Sequence, residues 1–249
     1  MEKVVIGVVH LKPLPGSPLH NSLDDVLNSA IRDAKALEEG GVDALIIENY
    51  GDLPYLKEVG KETVACMTAV ALEIRREVGV GLGINVLRND PIAALAIAKA
   101  VKADFIRVNQ SIFPSVTPEG HLESTAAELW RYKKNIDCDA MVFGDIEVKH
   151  AIHFARLEDY ILNIERSLLD AVVLTGKATG MEVRLSDLKK VRETVKLPIL
   201  VGSGVNSENV GEILNYCDGV IVGTYFKKRG VVDADRVRKI VRVAKGQAL

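Results

Sequence analysis

The chain has 249 residues, of which 48% are hydrophobic and 27% are charged, and its formal net charge is −2. A chain of this length can bury a sizeable core. The nearly balanced charge argues against a nucleic-acid partner and against an anionic membrane surface as a partner. No apolar run approaches the roughly 18 residues needed to span a bilayer, so no membrane insertion is expected. Strand-like sequence already begins at Val4, which argues against a signal peptide. The cysteines, Cys66, Cys138 and Cys217, lack metal-ligand spacing, and we expect reduced thiols in a cytoplasmic protein.

In chain order, eight short apolar runs alternate with segments that carry helix signals. The predicted strands are residues 4–10, 44–49, 80–87, 104–109, 140–148, 171–174, 197–201 and 218–222. The predicted helices are residues 22–39, 61–78, 92–101, 123–135, 157–168 and 186–195, and one more after each of the last two strands. Crossover units of this length make parallel strands with helices outside, and eight of them predict one (β/α)8 TIM barrel, an α/β fold, over residues 1–249. A doubly wound open sheet is the alternative.

The last two predicted strands both end in small residues. These are Gly202, Ser203 and Gly204 after strand seven, and Gly223 and Thr224 after strand eight. Glycine lets backbone N–H groups turn toward a ligand, and Asn206 or Ser207 can cap a following helix. Two adjacent turns of this kind predict a phosphate site, which usually lies after the last two strands of such a barrel. The alternative is a pair of tight turns without a ligand.

Strand five carries charges where apolar residues are expected. Period-two alternation places Asp145, Glu147 and Lys149 on one face, opposite an apolar face that packs on the helices. We therefore expect these three side chains to point into the mouth of the barrel, where the active sites of such barrels lie. Burying them is costly unless they pair with one another or meet a ligand. A structural ion network is the alternative.

Polar residues also end most of the other strands. They are His10 on strand one, Glu48 and Asn49 on strand two, Asn85 on strand three, Arg107 and Asn109 on strand four, and Thr175 and Lys177 after strand six. Polar groups at so many strand ends are typical of a catalytic mouth. We assign catalysis to Glu48 and His10 together with the three charges of strand five. The remaining polar residues, Asn49, Asn85, Arg107, Asn109, Thr175 and Lys177, are assigned to substrate binding.

These groups leave three chemistries open. Lys149 beside carboxylates is the candidate for a Schiff base with a carbonyl substrate. Glu48, Asp145 or Glu147 is instead the candidate general base for proton abstraction next to a carbonyl, with a histidine as acid or base. Asp145, Glu147 and His150 have the composition of a metal site, so a divalent metal stays open. No sequence motif requires a cofactor.

Five longer motifs, together with the two glycine turns, resemble the BtpA family, which includes the SgcQ-type proteins. The motifs are GVVHLKPLPGSP at 7–18, ENYGD at 48–52, GINVLRND at 83–90, FIRVN at 105–109 and DIEVKHA at 145–151. The resemblance covers essentially the whole chain and implies a ribulose-phosphate-binding type of barrel. The family's cyanobacterial member is associated with accumulation of photosystem I, and the SgcQ-type members occur in sugar-utilisation settings. The resemblance brings no catalytic residues with it, so the site residues rest on the strand pattern.

Two functions are open on the sequence. One is an enzyme that acts on a phosphorylated sugar or nucleotide as an isomerase, epimerase or aldolase-type lyase. The other, which the family resemblance implies, is a non-catalytic biogenesis or regulatory factor for a membrane complex of the photosystem I type. The polar mouth favours the enzyme, because a scaffold would need no such cluster. A homo-oligomer is expected by analogy with other barrels only.

Overall fold

The computed structural model describes residues 3–176 and 181–247. Its eight parallel strands are β1 (Val4–His10), β2 (Ala44–Glu48), β3 (Gly81–Asn85), β4 (Phe105–Val108), β5 (Met141–Ile146), β6 (Ala171–Leu174), β7 (Ile199–Val201) and β8 (Gly219–Val222). They form a closed barrel in the order β1-β8-β7-β6-β5-β4-β3-β2. This closure confirms the predicted TIM barrel and rules out the doubly wound open sheet.

Helices follow the strands around the outside of the barrel. They are α1 (Leu23–Glu39), α2 (Lys61–Glu77), α3 (Pro91–Val101), α4 (Ala126–Asn135), α5 (Leu157–Asn163), α6 (Leu185–Thr194), α7 (Val210–Ile213) and α8 (Ala234–Ala244). Ser22 caps α1 by accepting a hydrogen bond from the Asp25 N–H, and Asp90 caps α3 through the Ala93 N–H at 2.8 Å. The end of the predicted fifth helix is instead a 3₁₀ helix, Ile164–Ser167.

The last two crossover connections differ from the prediction. Helix α7 has four residues, and β8 is followed by a 3₁₀ helix (Thr224–Phe226) and a short hairpin before α8 begins. The Asn206 side chain accepts hydrogen bonds from the N–H groups of Glu208 and Asn209, so it closes a turn rather than capping α7. Neither glycine turn leads directly into a full-length helix. A phosphate at these turns would therefore meet the N–H groups of the turns rather than the N-terminus of a full-length helix.

A small sheet lies beside the barrel, in segments that carry no strand signal in the sequence. Its three antiparallel strands are Ser115–Thr117, Gly120–Leu122 and Ile152–His153, with the first in the centre. The first two strands belong to the loop after β4, and the third belongs to the loop after β5. The sheet therefore fixes two loops of the barrel mouth to each other.

The barrel interior changes from apolar to polar along its axis. An apolar cluster fills the interior, with Phe105 and Phe143 stacked at a centroid distance of 4.6 Å. Gly83 makes room for Phe105, because a Cβ there would lie 2.3 Å from the Phe105 ring. The other members of this cluster are Ile6, Val8, Ala44, Ile46, Ala171, Val173, Leu200 and Ile221. Chemistry is therefore confined to the positions beyond this layer, at the carboxyl ends of the strands. No helix within the described residues is long and apolar enough to cross a membrane.

Candidate functional site in the barrel mouth

The next inward position on each strand, two residues beyond the apolar layer, is polar or glycine. These positions, which we call the barrel mouth, are His10, Glu48, Asn85, Arg107, Asp145, Thr175, Gly202 and Gly223. The glycines directly follow β7 and β8, and the charged residues lie on β2, β4 and β5. Two cavities of about 260 Å³ and 620 Å³ open from the mouth, and Glu48, Arg107 and Lys149 line both.

Arg107 and Asp145 form a buried ion pair in the mouth. Arg107 donates from Nε and Nη2 to the two Asp145 carboxylate oxygens at 2.8 and 2.9 Å. Asn109 also donates to Asp145, at 3.1 Å. Burial alone would lower the pKa of Arg107, but Asp145 outweighs burial and raises it. Because both Asp145 oxygens are engaged, this carboxylate holds Arg107 in place, as in the ion-network alternative.

Glu48 lies next to His10 and Asn85. Asn85 donates to Glu48 Oε2 at 2.6 Å, and His10 Nε2 lies 3.9 Å from Oε1. Burial alone would raise the pKa of Glu48, because it opposes the charged carboxylate. Nearby positive charges outweigh burial and lower this pKa below its ordinary value. They come from protonated His10, from Lys149 and from Arg107. Glu48 is therefore a carboxylate at neutral pH.

His10 is a neutral imidazole at neutral pH. Its ring stacks on Tyr50 at a centroid distance of 4.3 Å, and burial lowers its pKa to about 4 in spite of the nearby Glu48. Gly223 permits this position, because a Cβ there would lie 2.8 Å from His10 Cε1. A neutral imidazole can accept a proton or donate a hydrogen bond without carrying charge into the mouth.

Lys149 reaches the mouth although the strand alternation that predicted it ends earlier. Strand β5 stops at Ile146, and Glu147 and His150 have φ values of 51° and 58°. The chain therefore turns, and the Lys149 side chain lines both cavities. Burial lowers the pKa of Lys149, only partly offset by Glu48. Its amine is more easily deprotonated than that of an exposed lysine.

Glu147 does not point into the mouth, so that part of the prediction is wrong. It lines a separate cavity of about 580 Å³ together with His153, Arg184 and Asp187. Burial raises the pKa of Glu147, and His153 partly offsets the effect. The backbone at Glu147 is left-handed, with a positive φ, so the strand alternation does not continue to this residue. Its side chain therefore points to the opposite side from the one that the alternation predicts.

The predicted metal ligands do not come together. Asp145 is committed to Arg107 and Asn109, Glu147 faces the separate cavity, and His150 lines the larger mouth cavity. In residues 3–176 and 181–247, no group of three or more His, Cys, Asp or Glu side chains is arranged to hold a metal ion.

The glycine turns line the smaller cavity. Gly202 donates its N–H to the Leu174 carbonyl at 2.8 Å, whereas the N–H groups of Gly204, Gly223 and Thr224 have no hydrogen-bond acceptor within the described residues. Gly204 has a φ of 69°, which is the conformation of backbone nests that bind anions. Ser203 donates from its hydroxyl to the Met181 carbonyl. The residues that carry these unpaired N–H groups line the same 260 Å³ space as Arg107.

Two residues predicted to bind substrate are hydrogen-bonded to other parts of the chain. Asn49 donates to Asp52 and to the Leu87 carbonyl, and its oxygen accepts the Leu87 N–H at 2.7 Å, so its side chain joins the loops after β2 and β3. Thr175 donates to the Glu147 carbonyl at 3.3 Å. Lys177 lies outside the described residues.

The strand pattern did not identify the loop residues of the larger cavity. Tyr50, Tyr55, Arg88 and Glu119 lie on loops after β2, β3 and β4 and contribute to its wall. Two of them, Tyr50 and Arg88, fall within the ENYGD and GINVLRND motifs, which were the available signal. Loops lack the two-residue period on which the prediction of inward side chains depends.

The fold and this mouth define the class: a TIM barrel with a polar carboxyl-end site beside two glycine turns. The chain belongs to the BtpA family, whose model matches residues 1–246. It is 68% identical over 246 residues to an uncharacterised protein of Archaeoglobus fulgidus, covering 99% of this chain and 100% of that one. It is 40% identical over 235 residues to the photosystem I biogenesis protein BtpA of Synechocystis, covering 92% and 82%.

Among solved structures, the chain resembles (S)-3-O-geranylgeranylglyceryl phosphate synthase from Thermoplasma acidophilum in complex with its substrate sn-glycerol-1-phosphate. The TM-score is 0.67, and the match covers 98% of this chain and 94% of that one. At 15% sequence identity, this likeness shows the shared TIM-barrel fold alone.

Proposed function

We propose that the protein is an enzyme acting on a phosphorylated sugar or nucleotide, as an isomerase, epimerase or aldolase-type lyase. One observation carries the proposal. The unpaired N–H groups of Gly204 and Gly223 share a cavity with His10, Glu48 and Lys149. A phosphate on the turns would therefore place the rest of a small substrate against three groups able to move protons.

Each group has a distinct role in this proposal. Lys149, with its lowered pKa, supplies an amine that attacks a carbonyl carbon or takes a proton from the neighbouring carbon. Glu48 and the neutral His10 exchange protons with the hydroxyl or carbonyl oxygen. Arg107, held by Asp145, stabilises negative charge that develops on that oxygen.

The fold comparison supports the phosphate part of the proposal by analogy. The Thermoplasma enzyme takes a phosphorylated substrate, sn-glycerol-1-phosphate, on the same barrel. A phosphate after the last two strands is the usual arrangement in such barrels. The stronger support is local, since the turns that line this cavity carry N–H groups without an acceptor among the described residues.

Thr224 offers a matched pair of variants for the test. It is exposed and lines the smaller cavity, so substitution there leaves the core intact. We expect Thr224→Glu to weaken binding of ribose 5-phosphate at least about tenfold through charge repulsion, and the equally large Thr224→Gln to bind nearly as the unmodified protein does. Isothermal titration calorimetry measures both, with ribose as the unphosphorylated control. Equal binding of ribose 5-phosphate by the Glu and Gln variants would contradict a phosphate at these turns.

A second candidate function comes from the Synechocystis relative, which is 40% identical over 92% of this chain and is a photosystem I biogenesis protein. As a non-catalytic biogenesis or regulatory factor, this chain would act through its surface. The two functions can be separated by producing this chain in a Synechocystis strain that lacks its own BtpA protein. Restoration of photosystem I by Lys149→Met as well as by the unmodified chain would favour the factor, and restoration by the unmodified chain alone would favour the enzyme.

A further inference from the structure

The larger mouth cavity has a different character from the smaller one. Its volume is about 620 Å³, and it opens from the same three charged residues, Glu48, Arg107 and Lys149. The rest of its wall is mainly aromatic, aliphatic and proline side chains. These are Pro18, Leu19, Tyr50, Leu53, Pro54, Tyr55, Leu87 and Pro118. A phosphate fits poorly against such a wall, whereas an apolar group gains from being buried there.

Specific contacts hold this wall together. Tyr55 donates its hydroxyl to the Tyr50 carbonyl at 2.8 Å, and Tyr50 stacks on His10. On the other side, Arg88 donates to the Lys149 carbonyl at 2.7 Å and pairs with Glu119 at 3.4 Å. Arg88 therefore joins the loops after β3, β4 and β5. The cavity is preformed rather than a gap between unconnected loops.

A buried polar atom belongs to a residue that lines the larger cavity. Asn109 is 2% exposed, lines the larger cavity and gives its amide N–H to Asp145. Its Oδ1 has no hydrogen-bond partner within the described residues. An unpaired buried acceptor is costly, so a ligand with a hydroxyl or N–H at this point would restore the missing hydrogen bond.

From these three observations we infer that the substrate has two ends. The phosphate lies on the glycine turns, an aryl or alkyl group fills the larger cavity, and a hydroxyl or N–H of the substrate donates to Asn109. This inference rests on the proposed function for its phosphate end. It names the substrate class more narrowly, as a phosphate monoester that carries an apolar group rather than a bare sugar phosphate.

A series of n-alkyl monophosphates from ethyl to hexyl phosphate tests the apolar end. We expect affinity measured by calorimetry to rise about threefold per added methylene as the chain enters the cavity. Leu19→Glu places a charge at the cavity wall, on a residue that is 62% exposed and therefore tolerant of substitution. In this variant the affinity should rise much less from ethyl to hexyl phosphate than in the unmodified protein. Leu162→Glu, on α5 at a residue that is 78% exposed and does not line this cavity, should keep the full gain.

The outcomes separate this inference from the proposed function. If ethyl phosphate itself fails to bind, the proposed function is contradicted and the inference falls with it. If ethyl phosphate binds and hexyl phosphate binds no more tightly, the inference alone is overturned. A gain with chain length that survives Leu19→Glu would place the alkyl group elsewhere and would also overturn it.

Discussion

At the scale of single residues, burial decides which groups of the mouth carry charge. Burial removes the charge of His10 and makes Lys149 easier to deprotonate, while Glu48 stays ionised among positive neighbours. Asp145 and Arg107 satisfy each other. His10, Lys149 and Glu48 are thereby able to exchange protons with a substrate. The ion pair with Asp145 holds Arg107 in place in the same mouth.

The lowered pKa of Lys149 predicts selective reaction with a phosphorylated aldehyde. At pH 7.5, glyceraldehyde 3-phosphate with borohydride should modify Lys149 before the exposed Lys61, because the neutral amine forms the Schiff base. Peptide mass spectrometry locates the modification. Lys149→Met should abolish the fast phase, and inorganic phosphate should slow it. Modification spread evenly over surface lysines would show that Lys149 has no special reactivity.

The lowered pKa of His10 predicts acid sensitivity. Between pH 6.5 and about 4, the unfolded chain binds a proton at His10 that the folded protein does not bind, so stability falls as the pH falls through this window. Across this window, protonation of His10 lowers the free energy of unfolding by about 3 kcal/mol in total. Burial also lowers the pKa of His150 and raises the pKa values of Glu147 and Asp52, so the contribution of His10 is read from the difference between the unmodified protein and a variant without this histidine.

His10→Gln should flatten the dependence of the free energy of unfolding on pH between 6.5 and 5. Urea unfolding at closely spaced pH values measures it. His121→Gln, at an exposed position on the three-stranded sheet, is the control and should keep the slope of the unmodified protein. An unchanged slope in His10→Gln would show that His10 is not the buried neutral group described here.

The Arg107–Asp145 pair predicts a large loss of stability when one partner loses its charge. Asp145→Asn leaves a buried guanidinium without its counter-ion, at a cost of about 3 to 5 kcal/mol. Glu73→Gln breaks the exposed pair with Arg76 on α2 and should cost less than about 1 kcal/mol. Chemical denaturation compares the two. A native-like Asp145→Asn variant that fails to bind phosphate would instead make Asp145 a ligand contact.

At the scale of elements, the turn after β7 has a conformation that only glycine adopts easily. Gly204 has a φ of 69°, and a Cβ there would lie 2.5 Å from the Glu182 backbone. The turn lines the smaller cavity and packs against residues 181–182. The glycine has a structural reason to be present in addition to any role in binding phosphate.

Gly204→Ala should therefore lower the free energy of unfolding for two reasons, the positive φ and the close contact of the new Cβ with Glu182. Gly246 has a matching φ of 70° with no atom within 4 Å of its Cβ position, so Gly246→Ala isolates the cost of the conformation, about 1 to 2 kcal/mol. Differential scanning calorimetry of the two variants gives the difference. If both variants lose the same amount of stability, the contact with Glu182 costs nothing.

The strands were more predictable from the sequence than the loops and turns between them. Buried apolar runs identify all eight strands because both faces of a parallel strand are covered, and alternation then places Arg107 and Asp145 correctly in the mouth. It fails at Glu147, where positive φ ends the alternation. The polar residue Asn49 was recognisable as a strand end, but nothing in the sequence shows that its amide joins two loops.

At the scale of the whole molecule, binding and stability are linked. A ligand that binds only the folded barrel at a concentration of 100 times its Kd adds about 2.7 kcal/mol to the free energy of unfolding. For a chain of this length we expect ribose 5-phosphate to raise the Tm by about 5 to 10 °C. Thermal unfolding with ribose at equal concentration is the control. Equal shifts with ribose and ribose 5-phosphate would mean that the phosphate contributes nothing.

The structure of the protein crystallised with ribose 5-phosphate tests the central claim most directly. We predict the phosphate oxygens within hydrogen-bond distance of the Gly204 and Gly223 N–H groups, with the sugar carbons directed toward Glu48 and Lys149. A phosphate bound elsewhere on the barrel, or a mouth that stays empty at saturating ligand, would contradict the claim.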